Sequence, residues 1–252
     1  MKMRIEEFLE RYVFVRKCVG CGERMGYEHR NDAFCNACRI SFERAKVMSC
    51  PECLMSMADC RCMPKSLERA GVVDVRRLVA YMGEHASHPE NKLLYFLKRN
   101  KSKRVAGFVA DQLLFKLEEL IAANDEKREE LLLAYVPRSR RACAKYGVDQ
   151  ARLVCEALAG RSGIRCLPLV LRKKDGRKEQ KKLTASGRRK NVARLFELNE
   201  RYREVCHGRS VIIFDDIITS GASVGACASL LKDAGADKIY ALSIASAIKG
   251  KR

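Results

Sequence analysis

Two groups of residues in this sequence have the types and the spacing to do chemistry. The first is Val211-Ile212-Ile213-Phe214-Asp215-Asp216-Ile217-Ile218-Thr219-Ser220-Gly221-Ala222-Ser223. Four consecutive apolar residues make a buried parallel strand, which delivers two carboxylates to its C-terminal end before a hydroxyl-rich loop opens a helix. A helix N-terminus presents free N–H groups and a positive dipole end to phosphate. Gly221 lets the backbone come close, Ala222 begins the helix, and Thr219, Ser220 and Ser223 supply hydroxyls. Asp215 and Asp216 cannot ligate phosphate, but they can accept hydrogen bonds from vicinal ribose hydroxyls or act through Mg²⁺. A diol acceptor beside a phosphate cradle fits a ribose 5-phosphate. The plainer alternative is a strand–turn–helix in which Asp216 and Thr219 merely cap the helix.

The second group is the cysteines. Eight of the thirteen form the pairs Cys18/Cys21, Cys35/Cys38, Cys50/Cys53 and Cys60/Cys62. Two thiolates on one tight turn grip a metal ion, and two such turns complete a tetrahedron, so four pairs imply two zinc sites of four cysteines each. Sequential pairing, first with second and third with fourth, is the simpler arrangement; interleaved pairing and iron–sulfur ligation use the same residues and stay open. A disulfide framework seldom has an odd cysteine count or repeated C-x-x-C pairs. Closed all-cysteine sites leave no position for substrate, so the zinc is expected to be structural. Cys143, Cys155, Cys166, Cys206 and Cys227 are scattered singly and read as packing residues or free thiols.

These groups need elements to position them. Residues 1–64 are expected to hold an N-terminal amphipathic helix (Met1 to Val15) and the cysteine module, with Met63-Pro64-Lys65-Ser66 as a linker. From residue 65 to 252, short apolar runs alternate with helical patterns. Strands are expected over Arg77–Met82, Leu131–Val136, Leu167–Leu171, Val211–Phe214 and Ile239–Ile244. Helices are expected from Ser87-His88-Pro89-Glu90, a capping-box pattern, to Arg99, then over Val105–Ala122, Asp149–Ala159 and Ala222–Ala234. Such alternation makes an α/β fold, a parallel sheet flanked by helices. Tyr95 and Phe96 read as core residues, and the four histidines as surface residues.

The chain has 252 residues, enough for one ordinary domain and a small one, and a net charge of +19. Such an excess favours polyanionic partners. Residues 172–194 alone hold eleven basic and two acidic side chains, a net +9 with few apolar positions, which reads as a mobile basic loop. No apolar run is long enough to span a bilayer, and the N-terminus lacks a secretory apolar core, so a non-integral protein of the cytoplasm is expected.

The block from Val211 to Ser223 resembles the signature of type I phosphoribosyltransferases, with Ser220 and Ser223 where that family carries Thr. Fused to a double cysteine module, it resembles the ComF competence-protein family. Leu97-Lys98-Arg99-Asn100 is similar to a helix end carried there as Leu-Lys-aromatic-Arg. Val136-Pro137 with Tyr146-Gly147-Val148-Asp149-Gln150 is similar to its Val-Pro…Arg-Gly-Phe-Asn-Gln stretch, with Val148 for an aromatic, Asp149 for Asn and Lys145 near the expected Arg. Gln180-Lys181-Lys182-Leu183-Thr184, followed by Arg188 and Asn191, has its Gln-x-x-Leu-Ser…Arg-x-x-Asn spacing.

This resemblance implies 5-phosphoribosyl pyrophosphate as ligand, with Mg²⁺, and Asp215 and Asp216 as catalytic residues if the ligand is turned over. It places the pyrophosphate loop at Pro137-Arg138-Ser139-Arg140-Arg141, where Arg138, Arg140 and Arg141 suit a diphosphate. It also makes the basic segment, with Lys173, Lys174, Lys181, Lys182 and Arg188, a flexible loop that closes over the ligand or tracks nucleic acid; Lys98 is a lesser part of the same anion field. The implied role is in natural transformation, handling incoming single-stranded DNA on the cytoplasmic side with proteins of the uptake machinery. Two other classes stay open: a phosphoribosyltransferase of nucleotide or base metabolism, and a regulator that senses the ligand without consuming it.

Overall fold

The computed structural model describes residues 15–81, 83, 87–173 and 194–247. The helix expected before residue 15 lies outside the described residues, as do Lys174, Lys181, Lys182 and Arg188. Among the cysteine pairs runs α1 (Asn36–Val47), and the linker carries a short helix, α2 (Lys65–Arg69). The elements β1 (Val72–Tyr81), α3 (Pro89–Arg99), α4 (Lys103–Ala123) and β2 (Leu131–Tyr135) follow. Next come α5 (Arg140–Tyr146), α6 (Gln150–Ser162), β3 (Arg165–Cys166), β4 (Val170–Arg172), β5 (Phe196–Leu198) and α7 (Arg203–Cys206). The last three are β6 (Ser210–Ile218), α8 (Ala222–Asp233) and β7 (Ile239–Ala247).

Five strands form one sheet in the order β1-β7-β6-β2-β3, and every neighbouring pair is parallel. Parallel sheets are covered on both faces, which is why their strands read as unbroken apolar runs. Alternation along the strand sorts each residue to one side. Leu131, Leu133 and Tyr135 of β2, with Ile212 and Phe214 of β6, join the core built on α3, α4 and α6. Leu132, Ala134, Val211 and Ile213 face the opposite core, which holds Leu67 of α2 and Val224, Ala228 and Leu231 of α8.

The cysteine module packs into the first of these cores. Phe34 and Phe42 lie 5.4 Å apart and meet Phe108 of α4 at 5.5 and 6.1 Å, with Phe34 and Phe108 edge to face. Fully burying one such side chain contributes roughly 1.5–3 kcal/mol, so this contact ties the module firmly to the sheet's helical layer.

Three local expectations need correction. First, the strand expected over Leu167–Leu171 divides into β3 and β4, because Pro168 has no N–H for a ladder. Its carbonyl instead accepts Asn199 Nδ2 at 2.9 Å. Second, the capping box at Ser87–Glu90 does not form: His88 occupies the N-cap without a side-chain cap bond, and Pro89 starts the helix. Third, β1 begins five residues before Arg77. Its polar Asp74 and Arg76 are buried as a pair at 2.9 Å, and Asn124 Nδ2 donates to Asp74 at 3.3 Å. Among the described residues no helix is long and apolar enough to cross a membrane.

Candidate functional site

Strand β6 runs through both acidic residues to Ile218, so Asp215 and Asp216 sit within its last four residues rather than beyond its end. Each bends along the strand: Asp215 Oδ1 accepts the Asp216 N–H and Asp216 Oδ1 accepts the Ile217 N–H, both at 2.9 Å. Their remaining surroundings differ. Asp216 Oδ2 accepts Gln150 Nε2 at 3.2 Å and lies 3.7 Å from Lys98 Nζ. Asp215 instead lies close enough to the buried Cys227 of α8 for its charge to act on that thiol, whose ionisation burial already opposes. Burial, and next the charge of Asp216, hold the Asp215 carboxyl well above the usual carboxylate range, against a smaller pull from Lys98. A ligand hydroxyl or a cation at this point relieves that repulsion.

After Ile218 the chain passes through the exposed Thr219 and Ser220 to Gly221, the N-cap of α8. Gly221 has φ +73°, and a Cβ there would lie 2.7 Å from Ser66 Oγ and 2.8 Å from Leu67 Cγ, so only glycine fits. The helix starts without any side-chain cap bond, which excludes Asp216 and Thr219 as caps. Its first N–H groups, with Ala222 and the half-buried Ser223 at the opening turn, stay available for an anion. Ser66 Oγ donates to the Ser220 carbonyl. The sequence gives no local signal for Ser66 as a site residue, because 154 residues separate it from Ser220.

The expected pyrophosphate loop follows β2. Ser139 caps α5 through the Ala142 N–H at 3.2 Å, which sets Arg140 and Arg141, both exposed, in the first turn. Arg138 behaves differently. Its Nη1 donates to the carbonyls of Lys98 at 2.8 Å and Val148 at 3.0 Å, and its guanidinium stacks on Tyr146 at 4.9 Å. Its N–H donates to Asp149 Oδ2 at 3.0 Å, while Asp149 Oδ1 caps α6 at 3.3 Å. Asp149 thus ties the loop to the helix that presents Gln150. Lys98 and Gln150 are the side chains that meet Asp216 from α3 and α6. Tyr95 is 41% exposed, contrary to its expected core position. The Tyr81 phenol is pushed up by burial, by its hydrogen bond with Tyr95, and by the nearby charge of Asp216.

Strands β4 and β5 pair antiparallel, Arg172 opposite Phe196, just before and after the basic segment. The Arg172 guanidinium lies 5.4 Å from the Phe196 ring, and Lys173 is exposed with its N–H donating to the Leu195 carbonyl at 2.9 Å.

The cysteines resolve into Cys18, Cys21, Cys35 and Cys38, and Cys50, Cys53, Cys60 and Cys62, the sulfurs of each set lying within 4.8 Å of one another. Pairing is therefore sequential. The donor set suits a metal that prefers thiolate. Burial opposes ionisation of Cys18, but N–H groups of Cys35 at 3.2 Å and Gly20 at 3.3 Å point at its sulfur and bring its pKa down to about 7. Cys50 reaches about 7 in the same way, against burial, through the amides of Cys53 and Glu52. Burial and the neighbouring sulfurs push Cys38 and Cys62 upward, which is the repulsion a central cation removes.

A parallel sheet flanked by helices, an acidic strand end running into an uncapped helix and two four-cysteine clusters define an α/β protein with two cysteine groups that could each hold a metal ion. The competence protein ComFC of Streptococcus pneumoniae (strain ATCC BAA-255 / R6) is 25% identical over 241 residues, covering 90% of this chain and 99% of that one. No family model matches the chain. Among solved structures it is similar to the allosteric regulatory enzyme of purine biosynthesis (16% identity, TM-score 0.38, 60% of this chain and 30% of that one). Adenine phosphoribosyltransferase from Saccharomyces cerevisiae gives 24% identity and a TM-score of 0.37, over 61% of this chain and 75% of that one. Glutamine phosphoribosylpyrophosphate amidotransferase from B. subtilis gives 14% and 0.34, over 73% and 31%. Likenesses at these scores add nothing to the topology already described.

Proposed function

We propose that this protein binds 5-phosphoribosyl pyrophosphate with Mg²⁺ and acts on the cytoplasmic side in natural transformation, handling single-stranded DNA together with proteins of the uptake machinery. The observation that carries the ligand is the strand end itself. Asp216, oriented by Gln150 and Lys98, stands one loop away from the uncapped N-terminus of α8. The 5-phosphate takes the N–H groups and hydroxyls from Thr219 to Ser223, and the ribose diol donates to Asp215 and Asp216. Arg140 and Arg141 serve the pyrophosphate, and Arg138 shapes their loop. The adjacent carboxylates of Asp215 and Asp216, the first raised by burial and next by the charge of the second, suit a cation, and Mg²⁺ held there would help neutralise the diphosphate. The DNA role draws on the +9 of residues 172–194 and on the relative named as a competence protein.

Calorimetry with phosphoribosyl pyrophosphate and Mg²⁺ tests the ligand. Changing Asp215→Asn together with Asp216→Asn should cost roughly 1.5–3 kcal/mol, the worth of a charge-assisted hydrogen bond, or about one to two decades in affinity. Equal affinity in the double variant would refute the diol contact. A second reading, phosphoribosyl transfer to a base, draws on Tyr81, which the charge of Asp216 reaches, and on the exposed Tyr95 hydrogen-bonded to it. Pyrophosphate release that depends on an added base favours it, whereas binding without release under every acceptor favours a sensing role.

A further inference from the structure

The linker between the second cysteine cluster and the sheet is fixed at both ends by contacts of different kinds. At its start, the buried Arg77 guanidinium donates through Nη2 to the Cys62 carbonyl, so β1 holds the last ligand of that cluster by its backbone. Two residues later Pro64 opens α2, and the Leu67 N–H closes onto the Pro64 carbonyl at 2.8 Å. At the other end, Ser66 Oγ donates to the Ser220 carbonyl, inside the hydroxyl-rich loop. Leu67 is fully buried directly beneath Gly221, and Gly225 one turn into α8 leaves only 3.0 Å between a built Cβ and the Ser66 carbonyl. Both glycines thus mark where α2 presses against the loop and the first turn of α8. Without the Ser66 hydroxyl, the exposed Thr219–Ser220 segment loses its hydrogen bond to the linker.

We infer that α2, through Ser66 and Leu67, is a brace that sets the geometry of the phosphate loop, and that the second four-cysteine cluster fixes this brace, so that phosphate affinity depends on that cluster being intact. The inference rests on the reading of residues 219–223 as a phosphate cradle. Ser66 is a positioning residue: it acts through the Ser220 peptide, whose neighbouring N–H groups meet the ligand. The dependence is one-sided by geometry. Cys18, Cys21, Cys35 and Cys38 reach the sheet through Phe34 and Phe42 against Phe108, on the opposite face, and should not influence the loop.

Ribose 5-phosphate is the probe for the cradle and inorganic pyrophosphate with Mg²⁺ the probe for the arginine end, both measured by calorimetry on the full chain, with zinc content measured alongside. Ser66→Ala should weaken ribose 5-phosphate by about three- to tenfold, the worth of one neutral hydrogen bond, and leave pyrophosphate affinity and zinc content unchanged. Ser66→Thr, which keeps the hydroxyl, should recover much of the loss. Cys53→Ser, at the exposed ligand of the second cluster, should release one zinc and weaken ribose 5-phosphate, whereas Cys21→Ser should release one zinc and leave it alone. Equal ribose 5-phosphate affinity in Ser66→Ala and the parent overturns the brace, as does a parallel fall for both probes. No binding of ribose 5-phosphate by the parent overturns the cradle reading itself.

Discussion

Lys98 serves the site with both of its ends: its ammonium stands 3.7 Å from Asp216 Oδ2, and its carbonyl accepts Arg138 Nη1 at 2.8 Å. The last turn of α3 therefore joins the acidic strand end to the loop after β2. A charge at one side and a backbone acceptor at the other make this turn the junction between the ribose end and the pyrophosphate end of the expected ligand. Arg138, which the resemblance places in the pyrophosphate loop, uses Nη1 of its guanidinium to hold that arrangement.

This division of labour among the arginines is testable. Arg138→Ala leaves the Lys98 and Val148 carbonyls without their donor and should destabilise the fold by about 1–3 kcal/mol. For a chain of this size that lowers Tm by roughly 2–4 °C per kcal/mol. Arg140→Ala and Arg141→Ala, both at exposed positions, should change stability by no more than about 0.5 kcal/mol while weakening pyrophosphate. Thermal melts beside calorimetry separate the two effects, and an Arg138→Ala variant with unchanged Tm would contradict its structural role.

Asp215 should show a trade-off between stability and binding. Its carboxyl is held well above the usual range by burial and by Asp216, and burial raises Asp149 as well. Between the unfolded carboxylate value of about 3.9 and the raised folded value, the native state binds more protons than the unfolded one. Stability therefore falls as pH rises through that window. Asp215→Asn removes this cost, so it should raise stability at neutral pH by roughly 0.5–2 kcal/mol and flatten the pH slope, leaving the part due to Asp149. The same change should weaken the ribose ligand. Denaturant titrations from pH 4 to 8 report the sign directly.

The parts legible in the sequence were those in which chemistry and periodicity coincide locally. Val211–Phe214 had no reading except a buried strand, and the turn to α8 followed from Gly221. The cysteine spacing announced two clusters, but four similar pairs cannot reveal their partners; that needed the positions of the sulfurs in space. The start of β1 was hidden because Asp74, Arg76 and Arg77 look like surface residues until Asp74 pairs with Arg76 and Arg77 finds the Cys62 carbonyl. Ser66 was invisible as a site residue for the same reason, since it meets Ser220 across a long separation in the chain; Gln150 stood in a stretch similar to the family's, but nothing local tied it to Asp216, 66 residues on. Tyr95 departs from its expected core position because its neighbours Leu93, Leu94 and Leu97 carry the buried apolar face of α3.

Purified without chelator under reducing conditions, the protein should contain two zinc ions per chain, one per cysteine set. Replacing Cys18 and Cys21 should remove one of them and unfold the first site, since metal binding and folding are coupled in such modules. The sheet should remain folded, because most of its core lies between strands and helices of residues 65–252. Metal analysis combined with circular dichroism checks both statements, and finding no metal in the parent protein would remove the module's basis.

Single-stranded DNA is tested through salt. The net +9 of residues 172–194 begins at Arg172 and the exposed Lys173, where β4 pairs with β5. If this segment follows a phosphate backbone, affinity should fall steeply with salt and show little sequence preference. Single strands give a slope of about −0.7 in log affinity against log salt for each phosphate neutralised. Replacing Lys173, Lys174, Lys181 and Lys182 by Ala should flatten that slope by roughly two to three units if all four contact phosphate. The rival reading gives these lysines only to the pyrophosphate end of the small ligand, so the two partners would respond differently to the same four changes. An unchanged salt slope with lost phosphoribosyl pyrophosphate binding would favour an enzyme of base metabolism. Retained ligand binding with lost DNA binding would favour the uptake role, because the cradle at Asp215–Ser223 would then be working without the lysines that grip the strand.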